Sequence, residues 1–132
     1  MPYVAIVTVV ALLQFIWFGW QVGKARGKYN IPAPGCSGNE MFERHFRVHM
    51  NTLEQLALLL PAMWVFAAFI SPRWAAVLGA VFIVGRFVYA SAYIKDPKSR
   101  SPGFALSAIP NLLLMLGILI WAVWALMKSP AT

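Results

Sequence analysis

Cysteine and acidic residues are scarce in this chain of 132 residues, and both shortages narrow the class of protein. The single cysteine, Cys36, excludes an internal disulfide framework, and we expect it to be an ordinary loop thiol. Only four residues are Asp or Glu, against eleven Lys and Arg, so the net charge is +7. That excess favours an anionic partner, either lipid headgroups or a ligand. We expect neither a metal site nor a nucleic-acid partner.

The chain is also unusually apolar, with 61% hydrophobic residues and a mean hydropathy of +0.69. Four apolar segments have about the 20 residues that a helix needs to cross a hydrocarbon core of ~30 Å. They predict transmembrane helices over residues 3–23, 44–70, 74–94 and 104–127. The first segment lacks a basic N-terminal region and is too long for a cleaved signal peptide, so we expect it to be a span. The predicted fold is all-α, a single membrane four-helix bundle over residues 1–132.

Basic residues predict the orientation of the bundle. Most of them lie after the first segment, at the start of the second, or after the third, namely Lys24, Arg26, Lys28, Arg44, Arg47, Lys95, Lys98 and Arg100. The opposite side offers only Arg73 and Lys128. The positive-inside rule therefore predicts cytoplasmic long loops and both termini outside, in a bacterial inner membrane or the endoplasmic reticulum.

Polar groups interrupt the second segment at its start. Arg47, Asn51 and Glu54 are spaced i, i+4 and i+7, so they share one face of a helix, whereas His49 faces another neighbour. Polar and charged groups are costly in a membrane and usually mark a function. The small chain carries many of them at one end, which suggests an oligomer with a site between subunits.

A second polar stripe lies on the third segment. Arg86, Tyr89 and Tyr93 are spaced i, i+3 and i+7, and Arg100 extends the heptad spacing. Pro97 predicts that the helix ends before Arg100. Because the second and third helices run antiparallel, both stripes approach the same end of the bundle. We therefore expect them to form one pocket.

Structural roles could account for some of these residues. An ion pair between Glu54 and Arg86 would explain both of them, and Arg47 or Arg100 could extend to lipid headgroups. Neither role explains Asn51 or the tyrosines. Taken together, the groups suit a small anionic zwitterion, because Arg binds carboxylates, Glu binds an ammonium group, and Asn and Tyr bind a polar backbone. Glutathione is such a molecule, but the residues alone do not select it over other anions.

Four motifs follow one another along nearly the whole chain. FERHFRVHMNTLEQLALLLPAMWV (Phe42–Val65) contains an R-x-[HQ]-x-N-x-x-E pattern from Arg47 to Glu54. The others are QVGKAR (Gln21–Arg26), GRFVYASAY (Gly85–Tyr93) and SRSPGF (Ser99–Phe104). In their order along the chain, these four motifs resemble those of the MAPEG family, the membrane-associated proteins in eicosanoid and glutathione metabolism.

The resemblance implies a homotrimer that holds glutathione between neighbouring subunits near the cytoplasmic side. It implies that glutathione is bound by Arg26, Arg47, His49, Asn51, Glu54, Tyr89, Tyr93 and Arg100. Arg100 would stand near the sulfur and stabilise the thiolate, which is the nucleophile, with Tyr93 as the next candidate for that role. A hydrophobic co-substrate would enter from the lipid bilayer.

Gln55 departs from the family pattern, because several members have Tyr directly after the Glu. The contact that this Tyr would make to glutathione is therefore not implied for this chain. The family includes a non-catalytic lipid-binding member, the 5-lipoxygenase-activating protein, which lacks the arginine and glutamate found here as Arg47 and Glu54. We therefore predict a membrane glutathione S-transferase for lipophilic electrophiles, with peroxidase or isomerase activity as further options. A non-catalytic trimeric scaffold is the alternative. A small multidrug transporter is disfavoured, because its first helix would carry a membrane-embedded Glu, whereas this chain has Thr8 and Gln14.

Overall fold

The computed structural model describes residues 1–129, and within that range the chain is helical, with no strand. The four long helices are α1 (Pro2–Tyr29), α2 (Glu40–Phe69), α3 (Pro72–Lys95) and α4 (Ser101–Lys128), and a short 3-10 helix (Pro97–Ser99) precedes α4. Each long helix is apolar enough and long enough to cross a membrane. The predicted all-α class with four transmembrane helices is therefore confirmed.

At one end of the bundle the helices extend beyond their apolar runs. α1 continues to Tyr29 and is capped by Asn30, whose φ of 56° is left-handed, a conformation that Asn tolerates. α2 begins at Glu40, and the side chain of Asn39 accepts a hydrogen bond from the Phe42 amide at 3.1 Å. Hydropathy reports only the hydrocarbon-spanning part of a helix, so the polar turns beyond it were not part of the predicted ranges.

The two ends of the bundle are connected differently. Only Ile70 and Ser71 separate α2 from α3, and the Ser71 hydroxyl accepts from the Trp74 amide at 3.3 Å. At the other end, residues 30–39 join α1 to α2, and residues 96–100 join α3 to α4. α3 ends at Lys95, before Pro97, as predicted. We call the end with the two longer connections the polar end.

Glycines allow α3 and α4 to pack at very close range. A Cβ atom at Gly85 would lie 2.7 Å from the backbone of Leu106 and Ser107, and one at Gly103 would overlap the backbone of Tyr89. Small residues let membrane helices approach in this way. The contact places the first turn of α4 directly against Tyr89, near the polar end.

The middle of the bundle is apolar and is crossed by a few polar contacts. Leu59, Phe82 and Leu114 are fully buried there. The side-chain amide of Gln14 donates to the Ile83 carbonyl at 2.9 Å and ties α1 to α3. Such bonds are needed because lipid offers no hydrogen-bond partner to a polar group.

Candidate functional site

A cavity of about 400 Å³ opens at the polar end, between α2, α3 and the start of α4. Its walls are Arg47, Asn51, Tyr89, Arg100, Ser101 and Phe104. Four of these six residues are among those predicted from the sequence. The structure therefore brings the polar stripes of the second and third segments together with the motif that opens the fourth.

The cavity is electropositive. Arg47 and Arg100 both contribute to its wall, and α4 begins at this wall with no side-chain hydrogen bond capping its first turn. Uncapped amides at a helix N-terminus carry partial positive charge and attract anions. The carboxylate of Glu54 lies 3.7 Å from the Arg47 guanidinium. An anion with one positively charged group would match this distribution of charge.

Arg86 lies behind the cavity wall and is fully buried. Its guanidinium donates to Asn51 Oδ1 at 2.9 Å, to Thr52 Oγ1 at 2.9 and 3.2 Å, and to Ser107 Oγ at 3.2 Å. It also lies 4.2 Å from the centre of the Tyr89 ring, a cation–π contact. Arg86 therefore fixes two cavity residues, Asn51 and Tyr89, from the interior.

The structure does not form the ion pair considered for Glu54 and Arg86. Within residues 1–129, every side-chain hydrogen bond of Arg86 goes to a neutral oxygen, and Glu54 approaches Arg47 instead. The physical reason is position on α2. Asn51 and Thr52 are buried and face α3, whereas the side chain of Glu54 is 57% exposed.

Tyr93 lies beside the cavity. Its ring stacks on that of Tyr89 with centroids 5.6 Å apart and an angle of 18° between the planes. Tyr89 is buried and Tyr93 is half-buried, so Tyr93 is the more accessible of the two hydroxyl-bearing rings. The pair extends the polar surface outward along α3 from the cavity.

Two predicted glutathione residues, Arg26 and His49, lie away from this cavity within the single chain. Arg26 donates to the Gly35 carbonyl at 2.7 Å and sits over the Phe42 ring, with 4.9 Å between the guanidinium carbon and the ring centre. His49 stacks on Phe15 of α1 with centroids 4.4 Å apart. In this structure Arg26 orders the loop after α1, and His49 packs α2 against α1.

Sequence reasoning did not assign a role to Thr52, Ser107 or Phe104. Thr52 and Ser107 accept hydrogen bonds from Arg86, and Phe104 lines the cavity. Hydroxyl side chains in helices commonly bond to a carbonyl one turn back, as Thr52 also does to Val48 at 2.7 Å. Their presence in the sequence therefore gives no signal of a second partner. Buried Arg86 was the available clue, because a buried cation needs several acceptors.

An apolar groove of about 480 Å³ lies deeper in the bundle, between α2 and α4. Its walls are Ala57, Leu58, Pro61, Ala62, Val65, Met115, Ile118, Leu119 and Ala122. Along α2, Gln55 lies between Asn51 of the cavity and Ala57 of the groove. Along α4, Asn111 lies between Phe104 of the cavity and Met115 of the groove. The Asn111 amide donates to the backbone carbonyl of Gln55 at 3.3 Å and to its side-chain oxygen at 3.2 Å. Gln55 is thus engaged by α4 and does not line the cavity.

Comparison with known proteins gives a consistent set of similarities. The model of the MAPEG family matches residues 4–120. An uncharacterized protein of Synechocystis sp. is 43% identical over 122 residues, which cover 92% of this chain and 89% of that protein. Microsomal glutathione S-transferase 2 of Homo sapiens is 37% identical over 87% of this chain and 79% of its own length. Leukotriene C4 synthase of Mus musculus is 33% identical over 73% of this chain and 64% of its own.

Proposed function

Because this chain belongs to the MAPEG family, we propose that it is a membrane glutathione S-transferase that conjugates glutathione to lipophilic electrophiles. It is a multi-pass membrane protein with four apolar helices. Its family includes glutathione-using membrane enzymes, as the name of microsomal glutathione S-transferase 2 indicates. The observation that carries the proposal is the cavity, which gathers Arg47, Asn51, Tyr89 and Arg100.

The charges of the cavity complement those of glutathione. Glutathione has two carboxylates and one ammonium group, and guanidinium forks bind carboxylates with two parallel hydrogen bonds. Arg47 is placed to bind a carboxylate, and Glu54 beside it to bind the ammonium group. Asn51 and Tyr89 offer hydrogen-bonding groups to the peptide part of the ligand.

Arg100 is the residue proposed to act on the sulfur. A free thiol has a pKa of about 8.5, so only a few per cent of it is ionised at neutral pH, and the thiolate is the nucleophile. Arg100 precedes α4, so its guanidinium and the uncapped start of that helix provide positive charge at the same wall. Both favour the ionised thiol. Tyr93, which stacks on Tyr89, is the second candidate donor to the sulfur.

The proposed reaction forms a bond between the sulfur and an electrophilic carbon. In an addition, the thiolate attacks an activated alkene, and the resulting carbanion takes a proton. In a displacement, the leaving group departs with the electron pair of the broken bond. The same thiolate could reduce a lipid hydroperoxide, in which it takes the terminal oxygen and releases an alcohol, and a second glutathione then yields the disulfide and water. We propose transferase activity as primary and peroxidase activity as a further one.

We also propose that the protein is a homotrimer, with glutathione bound between subunits and the polar end in the cytoplasm. The placement of Arg26 and His49 supports this, because both lie outside the cavity of their own chain. Arg47 and Arg100 are exposed in the single chain, so a neighbouring copy could complete the enclosure of a ligand there. Light scattering of the purified protein in mild detergent tests the trimer. A monodisperse monomer that binds glutathione would show that the assembly is not needed.

The proposed activity is tested on purified protein with glutathione and chlorodinitrobenzene. We expect conjugate formation together with an ultraviolet signal from the thiolate when glutathione binds. The competing function is a non-catalytic lipid-binding scaffold, which would bind lipid without producing either signal. If neither thiolate nor conjugate appears with this electrophile, or with a panel of enones and hydroperoxides, the transferase proposal is wrong.

A further inference from the structure

The guanidinium of Arg44, at the start of α2, bonds to the end of α3. Its Nη1 donates to the carbonyl of Ile94 at 2.8 Å and to that of Lys95 at 3.1 Å, and its Nη2 donates to Glu40 Oε1 at 2.6 Å. The last carbonyls of a helix have no amide partner within the helix, and a cation there is favoured by the helix dipole. The side chain of Arg44 is only 18% exposed. Arg44 therefore holds the last turn of α3 in place from a neighbouring helix.

Ser99 joins the connection after α3 to the same turn. Its hydroxyl lies 2.8 Å from the carbonyl of Asp96 and 3.1 Å from that of Ala92, and these two acceptors share its one proton. Arg100 follows Ser99 directly in the chain, and Tyr93 follows Ala92 directly. The residue before Arg100 is thus bonded to the residue before Tyr93, and both candidate donors to the glutathione sulfur depend on this turn.

The position of Arg100 depends on its backbone. Arg100 lines the cavity and is exposed, and its side chain makes no hydrogen bond within residues 1–129. Its carbonyl accepts from the Phe104 amide at 2.9 Å, so the same backbone also begins α4. A displacement of about 1 Å at a reacting group can lower a rate by roughly 100-fold. Contacts that hold the backbone before Arg100 are therefore able to change the rate of the chemistry.

We propose that Arg44 is a positioning residue for Arg100 and that it acts through the last turn of α3 and through Ser99. The inference rests on the proposed function, because it concerns the residue proposed to stabilise the glutathione thiolate. Without Arg44 the carbonyls of Ile94 and Lys95 lose their donor, the last turn of α3 loosens, and the connection to Arg100 moves with it. A guanidinium further from the sulfur favours the thiolate less. Arg44 does not line the cavity, so glutathione binding should change little.

Turnover of chlorodinitrobenzene against pH, at saturating glutathione, separates positioning from stabilisation. Arg44→Met keeps the length of the side chain and removes its donors. We expect turnover at neutral pH to fall about fivefold to tenfold and the midpoint of the profile to rise by about 0.7 to 1, since one unit of pKa is a tenfold change in ionisation. The KM for glutathione should change by about twofold or less. A protein that is only less stable would lose turnover at every pH and keep the midpoint.

Three further variants make the test specific. Arg44→Lys keeps a cationic donor and should recover about half of the lost rate. Glu40→Ala is the matched control, because it removes the ion pair, whose carboxylate side is 79% exposed, and leaves both carbonyl bonds of Arg44 in place. Its midpoint should stay unchanged. Ser99→Ala removes the second contact and should raise the midpoint as Arg44→Met does, and it decides the test if Arg44→Met does not fold.

A double variant tests whether Arg44 acts through Arg100. In Arg100→Leu the guanidinium is absent, so adding Arg44→Met should leave the midpoint of Arg100→Leu unchanged. A further rise in the double variant overturns the proposal, and so does an unshifted midpoint in folded Arg44→Met, or an unshifted midpoint in Arg100→Leu itself. If the unmodified protein forms no conjugate with any electrophile, the proposed function is wrong and the inference is wrong with it. Conjugation by the unmodified protein with unshifted midpoints in the variants is failure of the inference alone.

Discussion

The guanidinium of Arg86 donates to Asn51 Oδ1 at 2.9 Å, and this bond orients the amide that faces the cavity. Arg has donors only, so the oxygen of Asn51 must face Arg86. The nitrogen of the same amide is then left as a donor at the cavity wall. A fully buried cation of α3 thus determines which hydrogen bond a residue of α2 can offer to a ligand.

Arg86→Leu should therefore affect both stability and binding. It leaves the buried oxygens of Asn51, Thr52 and Ser107 without their donor, so we expect the free energy of unfolding to fall by about 2–4 kcal/mol. Glutathione affinity should fall as well, because the amide of Asn51 becomes free to rotate. Thermal unfolding and calorimetric titration measure the two effects. Arg73→Leu, at the opposite end of the bundle, is the control, and an equal loss of stability there would contradict this account.

Arg47→Ala and Glu54→Ala should each weaken glutathione binding with little loss of stability. A charge-assisted contact in a partly desolvated site contributes ~1.5–3 kcal/mol, or roughly 10- to 150-fold in affinity. The ion pair between the two residues is more than half exposed, at 55% and 57%, and exposed pairs stabilise a fold only slightly. Glu40→Ala is the control, because it removes an exposed carboxylate from another ion pair, with Arg44, and neither residue lines the cavity. A stability loss in Glu54→Ala with unchanged affinity would assign Glu54 a structural role.

Arg100→Leu should raise the pKa of the bound glutathione thiol toward its free value. The substitution removes a positive charge that favours the thiolate, so less thiol is ionised at neutral pH and turnover falls. Raising the pH should recover part of the rate, and glutathione affinity should fall much less than turnover. The measurement is turnover against pH at saturating glutathione.

Lys98→Leu is the control for that profile, because Lys98 is an exposed cation of the same connection and does not line the cavity. Its profile should keep the midpoint of the unmodified protein. If Arg100→Leu also keeps that midpoint, Arg100 does not stabilise the thiolate, and Tyr93→Phe becomes the variant to measure.

Gly103→Ala should disturb both the helix crossing and the cavity. Its added Cβ would overlap the backbone of Tyr89, so we expect a loss of about 1–3 kcal/mol and a displacement of the first turn of α4. Because Ser101 and Arg100 belong to that region, turnover should fall too. Gly23→Ala is the matched control, since a Cβ there meets nothing within 4 Å, and Ala is favoured over Gly in a helix. A Gly103→Ala protein that unfolds at the temperature of the Gly23→Ala protein would disprove the steric argument.

Hydropathy was sufficient to predict the four helices, because a span of apolar residues has few other uses in a protein of this size. The polar stripes predicted the main walls of the cavity for a similar reason. Charged and amide side chains at helical spacing within apolar helices must face either a partner or a site. Arg47, Asn51, Tyr89 and Arg100 were all found by this argument or by the resemblance that followed it.

The directions of individual side chains were harder to predict. The choice of partner for Arg86 depends on the rotation of α2 about its axis, which buries Thr52 and leaves Glu54 exposed. The position of Arg26 depends on how residues 30–39 fold back, since it binds the carbonyl of Gly35 in that loop. Neither rotation nor loop path follows from spacing along one helix.

Only Ile70 and Ser71 link α2 to α3, so a change in the angle between these helices is a rotation about that turn, which is the pivot. α3 has 24 residues, so it is ~36 Å long, and a rotation of one degree about the Ile70–Ser71 turn moves its far end by ~0.6 Å. Tyr89 and Tyr93 lie near that far end, whereas Trp74 lies beside the pivot and hardly moves. Small angular changes between the two helices are thus amplified where Tyr89 meets the first turn of α4, and they change the width of the cavity there.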